Sequence, residues 1–428
     1  MKTIYLDTKI ARLLAVQALK HIYPGVVFTA LSPLQCQEVV FGKLPGPRWV
    51  RVKNRLSGIC GSDLHMIYPH IDPKIAPLAL PGNKRIFLGH EMVGEIVECG
   101  DSVRALRVGD RVVFRGVERN CWVKEVEPAC RQCATGNYAL CENASAYEER
   151  VPADRGGGWG EEFIAHESQL YPVPASLTDE EAVFIEPLAC AVRAVLKGRP
   201  ANRSRVLVVG TGTIGLLVIY VLKQLYTLCD ITAISRYDFQ KHVALALGAD
   251  RVLSDNAELY DDVSKITEGK LYKGYAKNCM ILGGFDVVYD CVGSDSTINH
   301  SLRWTRAGGT VVIVGLNFKP GHIDYTPIWY QEVNLVGVVG HGREEINNNR
   351  ESTFDISINI LSKKIYDITS LITHRFTLDS YRLAIETAMH KSNFKTIKVI
   401  FDNRHGASAD QKMTGGSSPA DAEDRGGT

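Results

Sequence analysis

Residues 205–226, RVLVVGTGTIGLLVIYVLKQLY, decide the fold of this chain. An apolar strand at 205–209 runs into three glycines spaced G-x-G-x-x-G, and an apolar helix follows directly. In this context the motif predicts dinucleotide binding, because glycine allows a tight turn and close approach of a pyrophosphate to the helix N-terminus. A glycine-rich turn without a ligand is the alternative. The candidate cofactor residues of the turn are Gly210, Gly212, Thr213, Ile214 and Gly215.

The sequence around this motif shows three different patterns of apolar and turn-forming residues. From about 192 to 338, strand patterns alternate with helical patterns, which is typical of a doubly wound parallel sheet. Before about 190, short β-branched runs lie between glycines and prolines, as in short strands joined by turns. A last strand is predicted at 396–401, after the alternation has stopped. We therefore predict an α/β protein in which a Rossmann unit is inserted into a mostly β domain.

The domain boundaries follow from these textures. The predicted segments are the first part of the β domain at 1–190, the Rossmann unit at 191–338, the return to the β domain at 339–402 and a disordered tail at 403–428. A proline-rich insertion at 66–85 is expected to border the cleft between the two domains.

Composition excludes several classes of protein. The 428 residues carry 49 Lys and Arg against 48 Asp and Glu, so no strongly basic nucleic-acid binder is expected. No apolar run approaches the roughly 18 residues of a membrane span, and no secretory signal is recognisable. We expect a cytoplasmic protein without a nucleic-acid or membrane partner. Four of the 11 cysteines lie between 121 and 141, which favours metal binding over disulfides.

The end of the second Rossmann strand indicates which dinucleotide is bound. Ser235, Arg236 and Tyr237 occupy the region about 20 residues after the motif, where an NAD-preferring fold has an acidic residue. A guanidinium beside a small hydroxyl suits a 2′-phosphate, so we expect NADP(H) to be preferred over NAD(H). If the strand ends later than predicted, Asp238 is the alternative acidic partner.

Three separated segments carry residues of the kind that bind metals. Cys60 lies in GICGSDLH, His90 lies in GHE, and Glu186 opens EPLA. A thiolate, an imidazole and a carboxylate make a three-ligand zinc site with an open position, which indicates catalysis. Taken singly, each residue also has a structural interpretation, as a small buried hydrophobe, a hydrogen-bonded core histidine and a helix N-terminal acid.

The order of the motifs resembles a known family. GICGSDLH, GHEMVGEIVECG, GDRV, EPLA and VLVVGTGTIG resemble the zinc-dependent medium-chain dehydrogenase/reductases, in their alcohol, polyol and sugar branch. The resemblance covers roughly residues 50–400. It implies a GroES-like β domain that holds zinc, an inserted Rossmann domain, and catalysis in the cleft between them.

The resemblance also implies roles for single residues around the catalytic metal. Cys60 and His90 match zinc ligands, and Glu186 stands at the third-ligand position. Glu91 matches a glutamate that coordinates in some members or states.

The same motif carries the residues that move protons. Ser62 and His65 match the proton-relay positions of the family. Asp63 matches a carboxylate that orients the ligand histidine.

A second, structural zinc is implied by the spacing of three cysteines. Cys130, Cys133 and Cys141 resemble three ligands of the family's zinc lobe, but its first position falls on Glu127. Either Glu127 coordinates through oxygen or Cys121 supplies a fourth thiolate, and the second is slightly favoured. Three free thiols without a metal are the remaining alternative.

Together these features predict a zinc-dependent enzyme that transfers a hydride between NADP(H) and a secondary alcohol or ketone, a sugar or a polyol. Alternatives are a zinc-free quinone or enoyl reductase of the same superfamily and a non-catalytic NADP-binding module. Relatives are commonly dimers or tetramers, so a homo-dimer or homo-tetramer is expected. Gly340 stands where polyol dehydrogenases usually have arginine, and His341 and Arg343 are either substrate contacts or solvated loop residues.

Overall fold

The computed structural model describes most of the chain. The described residues are 1–7, 9–19, 22–29, 31–68, 85–116, 120–143, 155–275, 278–346 and 348–404. Most of the predicted proline-rich insertion, and the predicted tail from 405 on, lie outside the described residues.

The described residues form strands and helices in mixed order. The strands are β1 (Lys2–Asp7), β2 (Leu34–Glu38), β3 (Trp49–Gly58), β4 (Arg85–Phe87), β5 (Met92–Cys99), β6 (Arg111–Phe114), β7 (Glu162–His166), β8 (Leu170–Pro172), β9 (Arg205–Val209), β10 (Asp230–Ser235), β11 (Arg251–Ser254), β12 (Lys270–Lys273), β13 (Cys279–Leu282), β14 (Phe285–Asp290), β15 (Thr305–Ile313), β16 (Asn334–Gly337), β17 (Arg343–Ile346), β18 (Asn349–Ser352), β19 (Ile372–Phe376) and β20 (Lys398–Asp402). The helices are α1 (Ile10–Leu19), α2 (Gly61–Ile67), α3 (Arg131–Ala134), α4 (Asp179–Ala182), α5 (Ile185–Gly198), α6 (Thr213–Leu225), α7 (Asp238–Ala246), α8 (Leu259–Thr267), α9 (Asp295–Trp304), α10 (Thr326–Tyr330), α11 (Thr353–Ser362), α12 (Tyr381–Met389) and α13 (Lys391–Phe394).

A six-stranded parallel sheet forms the centre of the Rossmann unit. Its strand order is β11-β10-β9-β14-β15-β16, and every neighbouring pair is parallel. Val206, Leu207 and Val208 of β9 are fully buried, because helices cover both faces of such a sheet. α6 follows β9 directly, as the glycine motif predicts.

A second sheet belongs to the mostly β domain. Its order is β19-β20-β3-β5-β6-β8, and β7 also pairs with β3. β20, near the end of the described chain, runs antiparallel to β3, with Ile400 opposite Gly58. The chain thus leaves this sheet, forms the Rossmann unit and returns, so the predicted fold class is confirmed. The residue boundaries assigned to the domains stay predictions.

Smaller elements complete the architecture. β2, β1 and β4 form a three-stranded sheet, and β12–β13 and β17–β18 are two-stranded hairpins. α5 contacts α6 and β15 of the Rossmann unit as well as β6 of the β domain. α5 therefore joins the two units from inside. Among the described helices, none combines the length and the apolar character that a membrane crossing requires.

The described residues include the first two of the predicted tail, Asn403 and Arg404. The Asn403 N–H donates to the Arg55 carbonyl at 2.9 Å. The Arg404 guanidinium pairs with Asp402 at 2.7 Å and with Glu180 at 2.9 Å. These polar contacts hold both residues against the β domain.

The Arg404 cluster leads to a prediction about acid stability. Burial opposes ionisation of Glu180 and Asp402, but Arg404 outweighs it and lowers the pKa of both carboxyls. Their contribution to stability is complete above their ordinary pKa values and is lost as the pH falls through the lowered ones. Arg404→Met should reduce the free energy of unfolding by about 1–2 kcal/mol at pH 7, and the difference should shrink toward pH 3.

Denaturant unfolding at several pH values measures this effect. Arg131→Met is the matched control, because the Arg131 guanidinium pairs with Glu142 at the exposed surface. An equal deficit of the Arg404 variant at pH 7 and pH 3 would contradict the prediction.

Candidate active site and metal centres

One end of the β-domain sheet brings three ligand-type side chains together. The ligand atoms of Cys60, His90 and Glu91 all lie within 4.8 Å of one another. Cys60 follows the end of β3, and His90 and Glu91 come directly before β5. Because Ser57 of β3 lies opposite Met92 of β5, the antiparallel register places these two segments side by side.

Asp63 holds the two halves of this group in position. Its carboxylate accepts the Cys60 N–H at 3.1 Å, and its other oxygen lies 3.5 Å from Nδ1 of His90. Burial disfavours the imidazolium of His90, but Asp63 and Cys60 outweigh it and raise the pKa of this histidine. A carboxylate at Nδ1 leaves Nε2 of the ring for a metal, which fits the orienting role expected of Asp63.

Glu186 stands apart from the three-residue group, which differs from the expected ligand set. It lies near the N-terminus of α5 and accepts a hydrogen bond from the Cys190 thiol, 3.5 Å away. Burial raises the pKa of Glu186 to about 7. Glu91 therefore joins Cys60 and His90 in the group of ligand atoms that meet, and Glu186, the third ligand predicted from the sequence, lies beside this group and stays a candidate.

Glu186 nevertheless borders the same space. A Cβ built on Gly116 would lie 3.7 Å from Cβ of His90, 3.9 Å from Nε2 of His341 and 4.0 Å from Oε1 of Glu186. The three side chains thus surround one glycine beside the candidate metal site. Glu186 can contact a molecule that enters there.

Lys398 is a functional candidate that the sequence analysis missed. Its ammonium pairs with Glu91 and donates to the Ile59 carbonyl at 3.3 Å. Both charged side chains are only 2% exposed. Removing one partner of a buried ion pair strongly destabilises the folded protein, so Lys398 holds Glu91 in place. The available signal was a single lysine in the apolar run 396–401, TIKVIF.

Ser62 and His65 both lie on α2, three residues apart and on one face of the helix. Burial lowers the pKa of His65, and the cations Lys391 and Lys319 lower it further. The His65 ring packs against Phe318 of the Rossmann unit, with 5.3 Å between ring centroids. His65 therefore stands where the two domains meet.

The second candidate metal centre consists of four thiols. The sulfur atoms of Cys121, Cys130, Cys133 and Cys141 all lie within 4.8 Å of one another. Glu127 is exposed and outside this group. The structure thus brings Cys121 to the position for which the sequence left two candidates, and four thiolates fit a closed tetrahedral zinc site.

Main-chain N–H groups point at the sulfur atoms of this lobe and so favour thiolates. The Cys133 N–H points to the Cys130 sulfur at 3.4 Å, and the Cys130 N–H points to the Cys121 sulfur at 3.3 Å. Burial alone would raise the pKa of Cys130, but main-chain N–H groups of Cys133 and Glu142 and the thiols of Cys133 and Cys121 lower it to about 6. The donor set therefore suits a metal that binds thiolate.

The glycine turn has the shape that the motif predicts. Gly210 has a φ of 89°, and a Cβ on Gly215 would clash with the Gly210 carbonyl oxygen. A Cβ on Gly212 would meet only Nζ of Lys391, at 3.9 Å, so this side of the turn is open to a ligand. The Thr213 hydroxyl donates to the Ile397 carbonyl at 2.8 Å, and Ile214 packs on the main core. The turn therefore fits a dinucleotide.

The residues expected at the 2′-phosphate differ in their availability. β10 ends at Ser235, as predicted, but this serine is fully buried. Its hydroxyl accepts from Thr211 at 2.6 Å and donates to the Tyr237 carbonyl at 3.0 Å. Arg236 is exposed, with its guanidinium 5.8 Å from the Tyr237 ring centroid. Arg236 and Tyr237 thus remain available to a ligand, whereas Ser235 serves inside the protein.

Asp238, the alternative acidic partner, is not at the strand end. It begins α7 and pairs with Lys241 at 2.6 Å. Asp238 was the alternative acidic partner if the strand ended later than predicted. Because the strand ends at Ser235, this alternative does not apply.

The sequence analysis also missed a stripe of polar side chains along α5. Glu186, Cys190, Arg193 and Lys197 follow one another at helical spacing in an otherwise apolar helix. Arg193 is 3% exposed and donates to the His341 carbonyl at 2.6 Å and to Asn137 of the four-cysteine lobe at 3.1 Å. One buried guanidinium thus joins this lobe to the segment that follows β16.

The segment after β16 contains His341 and Arg343, which the sequence analysis left as substrate contacts or solvated loop residues. His341 is 2% exposed, and burial lowers its pKa to about 3, so its imidazole is neutral. His341 is therefore not a solvated loop residue. Arg343 is exposed.

Comparisons with known proteins agree with this geometry. The family model described as "Alcohol dehydrogenase GroES-like domain" matches residues 46–175, and the one described as "Zinc-binding dehydrogenase" matches residues 213–353. Sorbitol dehydrogenase of Arabidopsis thaliana is 30% identical over 83% of this chain and 89% of its own. L-idonate 5-dehydrogenase of Vitis vinifera is 29% identical over 87% of this chain and 92% of its own.

A solved structure is also similar. It is a protein of Sinorhizobium meliloti 1021, described as a zinc-binding dehydrogenase bound to NADP, with a TM-score of 0.66 and 26% identity. The match covers 86% of this chain and 96% of that one. The present chain belongs to the zinc-dependent medium-chain dehydrogenase/reductases, in their alcohol and polyol branch.

The four-thiol lobe leads to a test of its fourth ligand. Cys121→Ser should lower the zinc content of the purified protein by about one ion per chain, because a closed site needs four ligands. Glu127→Ala should leave the zinc content unchanged. Elemental analysis measures both variants, and the opposite pattern would make Glu127 the ligand.

Proposed function

We propose that this chain is a zinc-dependent dehydrogenase that transfers a hydride between NADP(H) and a secondary alcohol or ketone, a sugar or a polyol. The observation that carries the proposal is the convergence of Cys60, His90 and Glu91 at ligating distance, beside a glycine turn that fits a dinucleotide. The Thr213 hydroxyl, hydrogen-bonded to the return segment, keeps the two sites adjacent.

The donor set suits zinc. Cys60, His90 and Glu91 would hold the ion, which when bound supplies a Lewis acid for an alcohol or carbonyl oxygen. Asp63 keeps Cys60 and His90 aligned, and Lys398 holds the Glu91 carboxylate in place. Glu186 faces the same space and is available to a substrate hydroxyl.

Proton movement falls to α2. Ser62 would take up the proton of the substrate hydroxyl and His65 would pass it to water, as the resemblance implies. Because burial and neighbouring cations lower the pKa of His65, its imidazole is mainly neutral at pH 7 and can accept a proton. The nicotinamide, when bound, supplies or accepts the hydride.

Preference for NADP(H) is supported by the end of β10. Arg236 is exposed, and Asp238, two residues further on, pairs with Lys241 at the start of α7. A guanidinium offers several donors to a phosphate. The similar protein of Sinorhizobium meliloti binds NADP, which agrees with this proposal.

The substrate class rests on the relatives. Two of them are named for sorbitol and L-idonate, which supports a polyhydroxylated substrate.

A second copy of the chain is the proposed partner, in a homo-dimer or homo-tetramer. β16 lies at the edge of the parallel sheet formed by the described residues, and Tyr325, Trp329 and Tyr330 nearby are each at least 60% exposed. An unpaired edge beside exposed aromatic rings favours self-association. The cytoplasm remains the proposed location.

Turnover tests the catalytic assignment. The purified protein should oxidise NADPH with a panel of ketones and sugars, or reduce NADP with alcohols and polyols. Cys60→Ser should lower kcat/KM by about 1,000-fold or more, because the Lewis acid contributes several kcal/mol. It should also remove about one zinc per chain.

Cys36→Ser is the matched control and should change neither quantity. If Cys60→Ser kept full turnover, the zinc-free reductase would be the better description. A wild-type protein that binds NADPH but turns over no substrate would support the non-catalytic module.

Cofactor preference is tested at Arg236. Arg236→Ala should weaken NADPH binding about 10-fold or more and leave NADH binding nearly unchanged, because only NADPH carries the 2′-phosphate. Fluorescence titration of both cofactors measures this, and Lys265→Ala, an exposed cation on α8, is the control. Equal weakening of both cofactors would refute the phosphate assignment.

A further inference from the structure

A cavity of about 180 Å³ lies between the four-cysteine lobe and the segment that leads from β7 into β8. Trp122 and Tyr138 form its wall on the side of the lobe, and Ser168 and Leu170 lie on the other side. Arg115, the first residue after β6, lines the same cavity. Among the described residues that line it, none is a candidate metal ligand or belongs to the glycine turn. The cavity is therefore separate from the sites described above.

Aromatic rings surround the guanidinium of Arg115. Its central carbon lies 5.2 Å from the ring centroid of Tyr138, 5.1 Å from that of Tyr171 and 5.9 Å from that of Phe354. Rings attract a cation through their faces, but they are not among the ordinary acceptors of N–H hydrogen bonds. The buried Nε of Arg115 has no hydrogen-bond acceptor among the described residues. Because an unsatisfied buried donor costs free energy, a ligand that accepts from this group would be bound favourably.

The acidic side chains around Arg115 have other partners. Glu167 lines the cavity, but its Oε1 accepts from the Arg48 guanidinium at 2.7 Å and its Oε2 accepts from a main-chain N–H at 3.3 Å. Asp355 accepts a hydrogen bond from the Tyr171 hydroxyl. Neither of these carboxylates, nor any other in the described part of the chain, forms an ion pair with Arg115. The guanidinium is therefore free to pair with an anion that enters the cavity.

We propose that this cavity is a binding site for a small oxyanion, a phosphate or carboxylate group, which the Arg115 guanidinium holds. The two groups share the chemistry that arginine recognises, because each presents two acceptor oxygens to the planar fork of N–H donors. The cavity is smaller than the roughly 300–1,000 Å³ of sites for drug-sized molecules, so it fits a small anion and not a dinucleotide. The site goes beyond the proposed function and does not depend on it.

Titration calorimetry with inorganic phosphate and with acetate tests the site. The Arg236→Ala variant is the starting protein, because Arg236 is itself proposed to bind a phosphate. Adding Arg115→Met should weaken the binding of at least one of the two anions about 10-fold or more, because a hydrogen bond to a charged group is lost. Adding Arg131→Met instead removes an exposed arginine of the same lobe and should leave both affinities unchanged.

Trp122 reports where the anion binds. It lines the cavity and is 39% exposed, so an anion beside Arg115 should change its fluorescence. The same titration of a Trp122→Phe variant should lack this change. The measurement leaves Arg115 in place, and it therefore decides the question if Arg115→Met does not fold.

Three results would overturn the proposal. The first is that the protein binds neither phosphate nor acetate. The second is that Arg115→Met binds both anions as tightly as the starting protein. The third is that saturation with either anion causes no change in fluorescence that depends on Trp122. Each of these results would leave the zinc and dinucleotide assignments untouched.

Discussion

The register of β3 between β5 and β20 is the constraint on which the rest of this structure depends. Antiparallel pairing brings the end of β3 beside the starts of both neighbours. Cys60 follows that end, Glu91 precedes one start, and Lys398 opens the other. A shift of one residue in either pairing would turn these side chains to the opposite face of the sheet. The buried ion pair of Lys398 and Glu91 then ties the strands on both sides of β3 to the same site.

α5 connects this sheet to the remainder of the protein. It is buried along almost all of its length and packs on both domains. Along one face it carries Glu186 at the candidate active site and Arg193 at the four-cysteine lobe. One helix and one guanidinium thus link the lobe to the candidate active site.

Much of this arrangement was predictable because its signals are local. The glycine turn, the strand before it and the helix after it are contiguous, so their geometry follows from residue type. Cys60 and His90 lie in short motifs whose residues and order along the chain resemble those of the family. By contrast, the approach of Glu91 to Cys60 and His90, and of Cys121 to the other three cysteines, depends on how side chains from separate segments are oriented after packing.

Other residues were missed for the same reason. The partner of Lys398 is set by strand register, and the partners of Arg193 lie on a loop and a segment far away in the sequence. The charged residues inside apolar runs were visible as exceptions to the hydrophobic pattern. Only tertiary structure says which group neutralises each of them. The burial of Ser235 likewise follows from its contact with Thr211, which no pattern along one strand reveals.

The long detour of the chain between β3 and β20 has a consequence for biosynthesis. Glu91 and Lys398 are 307 positions apart, and all of the Rossmann strands are translated between them. The strands of that unit pair mostly with strands close to them in the sequence, so the unit can fold during translation. The sheet of the β domain cannot be completed until β20 has been synthesised. A nascent polypeptide released before β20 would therefore expose Glu91 without its counter-ion, and the metal pocket would be the last part of the molecule to mature.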